Sequence, residues 1–386
     1  MKQLRTQVAI IGGGILGTST ALCLRRRGLE VALLERDVCG SRSSGVNYGG
    51  VRRQGRDPVQ LALAQRAHEI WGSLSEWIGT EGEYARTGHL KLARTASDMA
   101  SLESYRERTR GFGMNLQLLS RSELRSQFSW LGSAVVGGSL CPEDGQANPR
   151  LIAPAFARAA ERAGTRIFER TEVKHIERLG RSFLVGTADG MQVTAEVLVN
   201  CAGAWSGEFA KQFAEPVPMT PGHPVMAVTE PLPPLMTLSL GMEGGGIYGR
   251  QVARGNCVIG GAKGYAIDDL RARPSQDGVI SVMRQALSLL PGLEHAHVIR
   301  TWAGTEGYLP DRQPVVGESS TTPCLYHAFG FAGAGFQIGP AVGEALAELI
   351  DKGVSTYSLD PFSIRRFRPT TGPVAADVPR TAAQGV

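Results

Sequence analysis

Apolar residues fall along this chain in two textures, continuous runs and periodic ones, and each predicts a different element. Residues 8–11 (Val-Ala-Ile-Ile) form an unbroken apolar run, which marks a strand covered on both faces. A glycine turn follows, then a helix running to about Arg27, then a second buried strand over residues 30–34. Asp57 and Pro58 read as an N-cap with proline at the first helical position. Val59, Leu63, Ala67, Ile70, Leu74 and Ile78 then recur at helical spacing and are expected to form one buried face. Residues 89–92 alternate as a strand does, residues 97–110 read as a charged helix, and Ser120 with Glu123 makes a capping box. An alanine-rich helix is predicted over 151–163, stopped by Gly164, with short strands at 166–170, 172–179, 183–185 and 191–193. Residues 195–205 run as a buried strand into a turn of small residues.

From Pro216 proline and glycine multiply. Alternating runs at 224–229, 246–250 and 257–261 predict an antiparallel sheet inserted between parts of the first domain. A helix over 277–290, a strand over 297–302, a strand and glycine loop over 325–339 and a helix over 340–351 complete the pattern. The segment after Phe367 is rich in Pro, Thr and Ala and reads as a loose tail. No internal repeat is present.

The glycine turn carries chemistry. Gly12, Gly14 and Gly17 fill the spacing in which the first glycine permits a tight turn, the second admits a pyrophosphate and the third packs helix on strand. The helix N-terminus behind them offers free N–H groups to phosphates. Glu35 ends the next strand roughly 20 residues on, where a ribose-binding carboxylate belongs. Residues 40–55 are too rich in Gly and Ser for a regular element. There Ser43 and Ser44 can donate to phosphate, and Arg52 and Arg53 are candidates for an anionic ligand. The glycine loop ahead of residue 340 marks a second helix N-terminus fit for an anion or carbonyl.

Composition narrows the class. A chain of 386 residues predicts two domains. The net charge of +5 is spread over scattered arginines, which argues against nucleic acid. Six cysteines lie far apart without a C-x-x-C, and His295 and His297 lack a third partner, so a reduced protein with no metal is expected. The N-terminal apolar run is broken by glycines and has no cleavage site, and no stretch is apolar enough to span a membrane. The expected location is cytoplasmic, or peripheral to the inner membrane.

Four landmarks in order give the chain a family resemblance: the dinucleotide motif with Glu35, the loop 43–53, "VLVNCAGAW" at 197–205 and "GFAGAGFQIG" at 330–339. They resemble the FAD-dependent D-amino-acid oxidase superfamily, in its sarcosine and glycine oxidase branch. The resemblance implies a mixed α/β (α+β) fold in which a Rossmann-type FAD-binding domain is interleaved with a mixed-sheet substrate domain. The FAD domain would take residues 1–86, 141–212 and 300–365, the substrate domain 87–140 and 213–299, and 366–386 would be a flexible tail. Non-covalent FAD would lie against Gly12, Gly14, Ile15, Leu16, Gly17, Glu35, Arg36, Ser43, Ser44, Asn47, Gly50 and Val51 at one end. Val173 would hold the adenine by its backbone, Ala202, Gly203 and Trp205 would line the cofactor, and Gly333, Gly335, Phe336 and Gln337 would meet the flavin.

Two departures shape the functional expectation. Glu306 stands where several relatives place a carboxylate-gripping arginine, so it is expected to hold a substrate ammonium. Arg53, Arg250, Tyr248 and His223 are then the candidates for the carboxylate. No cysteine lies where sarcosine oxidases attach flavin, and Lys263 is displaced from the position of their oxygen-activating lysine. The segments "GGVRRQGRDP" and "WAGTEGYLPD" look most like catalytic subunits of bacterial D-hydroxyproline and opine dehydrogenases. The resemblance implies hydride transfer from a secondary or imino amino acid, best D-proline or cis-4-hydroxy-D-proline, with electrons passed to partner subunits or a quinone. An oxygen-using glycine, sarcosine or D-amino-acid oxidase is the alternative within the class. An FAD-binding structural or electron-transfer subunit is the alternative outside it. An NAD-dependent dehydrogenase leaves "GFAGAGFQIG" unexplained.

Overall fold

A computed structural model describes residues 3–368. Two eight-stranded sheets organise them. In the first, the strands Gln3–Ile11, Val31–Leu34, Arg166–Phe168, Gln192–Asn200 and Leu325–Phe329 run parallel. Val315–Glu318 pairs antiparallel at one edge, and the hairpin Val173–Leu179 and Ser182–Thr187 joins Gln192–Asn200. The unbroken apolar run is explained by cover on both faces. Val8 and Ile10 point into a helix-side core with Val31 and Leu33, while Ala9 and Ile11 join Ala32, Leu34 and Phe183 on the other side.

The helices Ile15–Arg26, Leu61–Gly72, Pro149–Arg162 and Gly335–Lys352 cover the first face. Ile15–Arg26 and Gly335–Lys352 pack unusually close. A Cβ on Gly339 would meet Ile15 Cγ2 at 2.9 Å, and one on Gly343 would meet the Ser19 backbone carbon at 2.7 Å. Ser19 Oγ donates to Gly339 O at 3.1 Å across this seam. The C-terminal helix begins at Gly335 rather than at Pro340 as expected, with the proline inside it. The apolar face over 59–78 is real from Leu63 onward, but Val59 is 45% exposed. It falls in the 3-10 turn Pro58–Gln60, which sets a different phase from the helix. The segment 40–55 also holds more structure than expected: a one-turn helix, Ser43–Val46, and the strand Gly50–Val51 paired with Gly145–Gln146.

The second sheet has the order Val298–Ala303, Pro224–Pro231, Asn256–Lys263, Tyr248–Gln251, Ser239–Met242, His89–Ala93, Gly137–Cys141, Gln117–Ser120. Only the contact between Ser239–Met242 and His89–Ala93 is parallel. Alternation divides its faces: Leu90 and Leu92 sit in a core with the helix Gln276–Leu289, while His89 and Lys91 face away. The strand Val298–Ala303 pairs throughout in this sheet, so a boundary at residue 300 cuts a strand. Of the tail expected over 366–386, the part from 369 lies outside the described residues, and the 3-10 turn Ile364–Phe367 precedes it. Among the described residues no helix is long and apolar enough to cross a membrane.

Candidate active site

Three connected cavities run from the carboxyl end of the first sheet to the inner face of the second. The first, about 310 Å³, lies against Gly12, Gly14, Glu35, Arg36, Val173, Ala202, Gly203 and Trp205. The second, about 110 Å³, shares Gly14 and Gly203 with it and adds Ile15, Leu16, Ser43, Ser44, Asn47, Gly333, Gly335 and Phe336. The third, about 300 Å³, shares Asn47, Glu306, Gly333 and Phe336 with the second and reaches Gly50, His89, Lys91 and Tyr248.

The lining of the first cavity suits an adenosine. Gly12 has φ +105°, and a Cβ there would lie 2.3 Å from Cys201 O, so the turn requires glycine. The Glu35 carboxylate accepts from Gly13 N at 2.6 Å and from Asp37 N at 2.7 Å. Burial raises its pKa against those two bonds. The Arg36 guanidinium stacks 4.2 Å over the Trp205 ring, whose Nε1 donates to Asp269 O at 2.9 Å.

The middle cavity receives two helix N-termini, at Ile15 and at Gly335, brought together by the close seam of their helices. Ser44 Oγ accepts from Ile15 N at 2.9 Å, and Ser43 Oγ donates to Thr305 O. The donors and dipoles there suit phosphate. The Asn47 side chain donates to Ser43 O and Ser44 O and accepts from Gly49 N, so it holds the loop while lining the wall. Ala332 adopts φ +47° and Gly333 φ +83°, a strained turn just ahead of the second helix.

The inner cavity is a product of strand register. Met226 lies opposite Gly260, Gly260 opposite Tyr248, Tyr248 opposite Gly241, and Gly241 opposite Lys91. A Cβ on Gly260 would stand 2.3 Å from Tyr248 Cε2, so this glycine makes room for the ring. Tyr48 packs edge-on at 4.9 Å. Glu306 enters from the strand Glu306–Tyr308. Tyr308 Oη donates to its Oε2 at 2.8 Å. The carboxyl opens on the cavity yet is enclosed by protein, and this desolvation raises its pKa against the pull of Tyr308, Arg312 and Arg56. Burial, with Glu306 close by, also raises the Tyr248 and Tyr308 hydroxyls, so both stay protonated donors near neutral pH.

Arginine is where placement departs most from expectation. Arg53 is 2% exposed and turned away: its guanidinium meets Asp144 at 3.3 Å, Glu143 at 2.9 Å and Gln65 at 2.7 Å. Arg250 is likewise turned aside, donating to Tyr48 O at 2.6 Å from a separate cavity of about 410 Å³. His223 lies by Thr305 at 3.3 Å and lines none of the three cavities. Gln337 points the other way, donating to Ala64 O at 2.9 Å in the helix interface. Val51 is buried in the core, and Gly17 sits behind the turn, where a Cβ would lie 2.0 Å from Gly12 O. The cations that do line the inner cavity are Arg52, Arg56, Lys91 and Arg312. Arg56, Lys91, Arg312, Tyr48 and Tyr308 are not among the site candidates that the sequence singles out. Arg56 belongs to the same charged loop as Arg53 and follows the left-handed turn at Gly55, but it lines the cavity while Arg53 turns to Asp144.

The cavities fit an extended dinucleotide flavin: a carboxylate at the adenosine end, N–H groups at the phosphates, and a wider chamber under the second sheet. Comparison with known proteins agrees. The model of the FAD dependent oxidoreductase family matches residues 7–349. Glycine oxidase of Geobacillus kaustophilus is 30% identical over 372 residues, covering 94% of this chain and 97% of that protein. The crystal structure of glycine oxidase from that organism matches with a TM-score of 0.88 at 26% identity, over 95% of this chain and 100% of the other. L-proline dehydrogenase from P. horikoshii matches with a TM-score of 0.87 at 28% identity, over 95% and 98%. The chain belongs to the FAD-dependent oxidoreductase family and is an FAD-dependent enzyme of its α/β fold.

Proposed function

We propose that the protein oxidises the carbon–nitrogen bond of a small secondary or imino amino acid to the imine. The observation that carries this reading is the polarity of the inner cavity: one carboxylate, Glu306, faces four basic side chains. An amino acid presents the complementary pair. Its nitrogen would donate to Glu306 Oε1, since Oε2 already accepts from Tyr308. Its carboxylate would lie toward Arg52 and Arg56, with the Tyr248 hydroxyl as a further donor. That pose orients the carbon beside the nitrogen toward the wall formed by Gly333 and Phe336. FAD, when bound, supplies the hydride acceptor there. A hydride leaves carbon, a proton leaves nitrogen, and a C=N bond remains. Non-covalent attachment of the cofactor is part of the reading.

The finer form of the proposal takes D-proline and cis-4-hydroxy-D-proline as the first substrates to assay and a non-oxygen electron acceptor. Similarity to a proline dehydrogenase supports the secondary amine. The exposed position of Lys263, outside the inner cavity, supports the acceptor. Similarity to glycine oxidase favours the second reading, an oxygen-using oxidase. Turnover of an amine panel with an artificial dye, run beside peroxide detection in air, tests both. Dye reduction without peroxide is expected. Peroxide at the dye-coupled rate would transfer the proposal to the oxidase reading, and no turnover with any amine would reject it.

A further inference from the structure

The inner cavity opens outward into a cleft of about 770 Å³. The residues common to both are Arg52, Arg56, Lys91, Arg312 and Ala332, so four of the five are basic. They line the neck between the two from separate segments: Arg52 and Arg56 come from the loop after Gly50–Val51, and Arg312 comes from the turn after Glu306–Tyr308. We propose that this neck selects a substrate carrying a second anionic group, an amino or imino dicarboxylate, with one carboxylate toward Arg52 and Arg56 and the other toward Arg312. The inference rests on the amine oxidation proposed above and sets dicarboxylates ahead of the monocarboxylates D-proline and cis-4-hydroxy-D-proline within it.

The neighbouring anions do not balance the neck. Glu243 is committed to Lys91. Asp311 pairs with Arg366 at 2.7 Å, and Asp57 caps its turn by accepting from Val59 N at 3.0 Å. Glu306 shares its charge with Tyr308 at the inner end. Arg56 is the least compensated member. It is 7% exposed and lines the cavity, yet its Nε has no hydrogen-bond partner. A buried guanidinium left in that state is costly unless an anion completes it. Burial also separates binding from steering, because cations that only attract a ligand by their field gain nothing from being withdrawn from water. A monocarboxylate can satisfy one guanidinium face to face. It leaves the cations of the other segment without an anion. The outer cleft is wide enough for the longer substrate to enter.

The test compares substrates that differ only by the second charge, N-methylglycine against N-(carboxymethyl)glycine, with the FAD-loaded enzyme. The expected kcat/KM ratio favours the dicarboxylate by about 100-fold. In Arg312→Gln that ratio falls at least about tenfold. A wild-type ratio near one, or a ratio that R312Q leaves unchanged, overturns the inference. A second measurement needs no turnover. Calorimetric titration of the loaded enzyme with succinate and with butyrate should show succinate bound at least about tenfold more tightly, the gap narrowing with salt. Equal affinities overturn the inference as well. If neither of these two amines is oxidised, succinate against butyrate still decides the neck, and the parent function is decided separately by the full amine panel.

Discussion

In the proposed reaction Glu306 is the residue on which the chemistry turns, and its environment gives that proposal a pH signature. Enclosure raises its carboxyl above the ordinary 4.5. As pH falls through that raised value the group becomes neutral and loses its hold on a substrate ammonium. The groups facing it, Tyr308, Tyr248, Arg56 and Arg312, carry no acidic titration there. The kcat/KM profile should therefore show an acid limb with a midpoint above 4.5. Glu306→Gln should remove that limb and lower kcat/KM by about 100-fold while FAD stays bound. An unchanged profile would show that Glu306 does not meet the substrate. A second buried carboxylate behaves in the opposite sense. Burial alone would raise Glu215, but His327, Ser319 and Ser320 donate to it and hold it down at about 2. Its contribution to stability is complete above the unfolded value of 4.5 and is lost as pH falls toward about 2. Glu215→Ala should cost about 3 kcal/mol in denaturant unfolding, because it orphans buried donors. At this scale the sequence was partly legible. Glu306 announced itself by standing where an arginine is usual. Arg53 and Arg56 could not be told apart, because their direction depends on Asp144, 91 residues from Arg53 in the chain.

Elements bring such residues together through contacts that only small side chains allow. The two helix N-termini meet because Gly339 and Gly343 let Gly335–Lys352 press onto Ile15–Arg26. Gly343→Ala places a methyl 2.7 Å from Ser19 C and Thr20 N, which are backbone atoms and cannot step aside. A loss of about 1–3 kcal/mol is expected by chemical denaturation, with weaker retention of FAD on gel filtration. Retention and stability equal to wild type would mean that the seam does not position the site. The sequence marked a glycine loop ahead of a helix N-terminus here, but the helix was expected to start at Pro340. Proline is common at a first turn, and that prior hid the residues ahead of it. In the second sheet the alternation predicted strands but not their register. The row from Met226 to Lys91 is set by which glycines lie opposite Tyr248, and pairing partners are not encoded locally. The strand Ser239–Met242 was missed although Leu240 and Met242 alternate with Ser239 and Gly241: four residues with a glycine among them make a weak signal.

The whole molecule is two sheets joined through the cavities, and a cofactor that spans them should act as a fastener. Anything that binds only the folded state stabilises it by mass action, about 4 kcal/mol when free ligand exceeds its dissociation constant a thousandfold. Removing FAD should therefore lower the melting temperature by several degrees, and adding it back should restore it. Identical melts with and without FAD would argue that the cavities do not hold it. The change of texture at Pro216 precedes the run of second-sheet strands that starts at Pro224–Pro231. Where that run ends was not legible, since Val298–Ala303 completes the second sheet while the chain returns to the first only at Val315–Glu318. The most direct measurement is an anaerobic titration of the purified, FAD-loaded protein with secondary amino acids, followed by visible absorbance. The yellow colour should bleach at one equivalent of substrate, with one equivalent of imine or its hydrolysis product formed. Absorbance unchanged by every secondary amino acid, mono- and dicarboxylate alike, would contradict it.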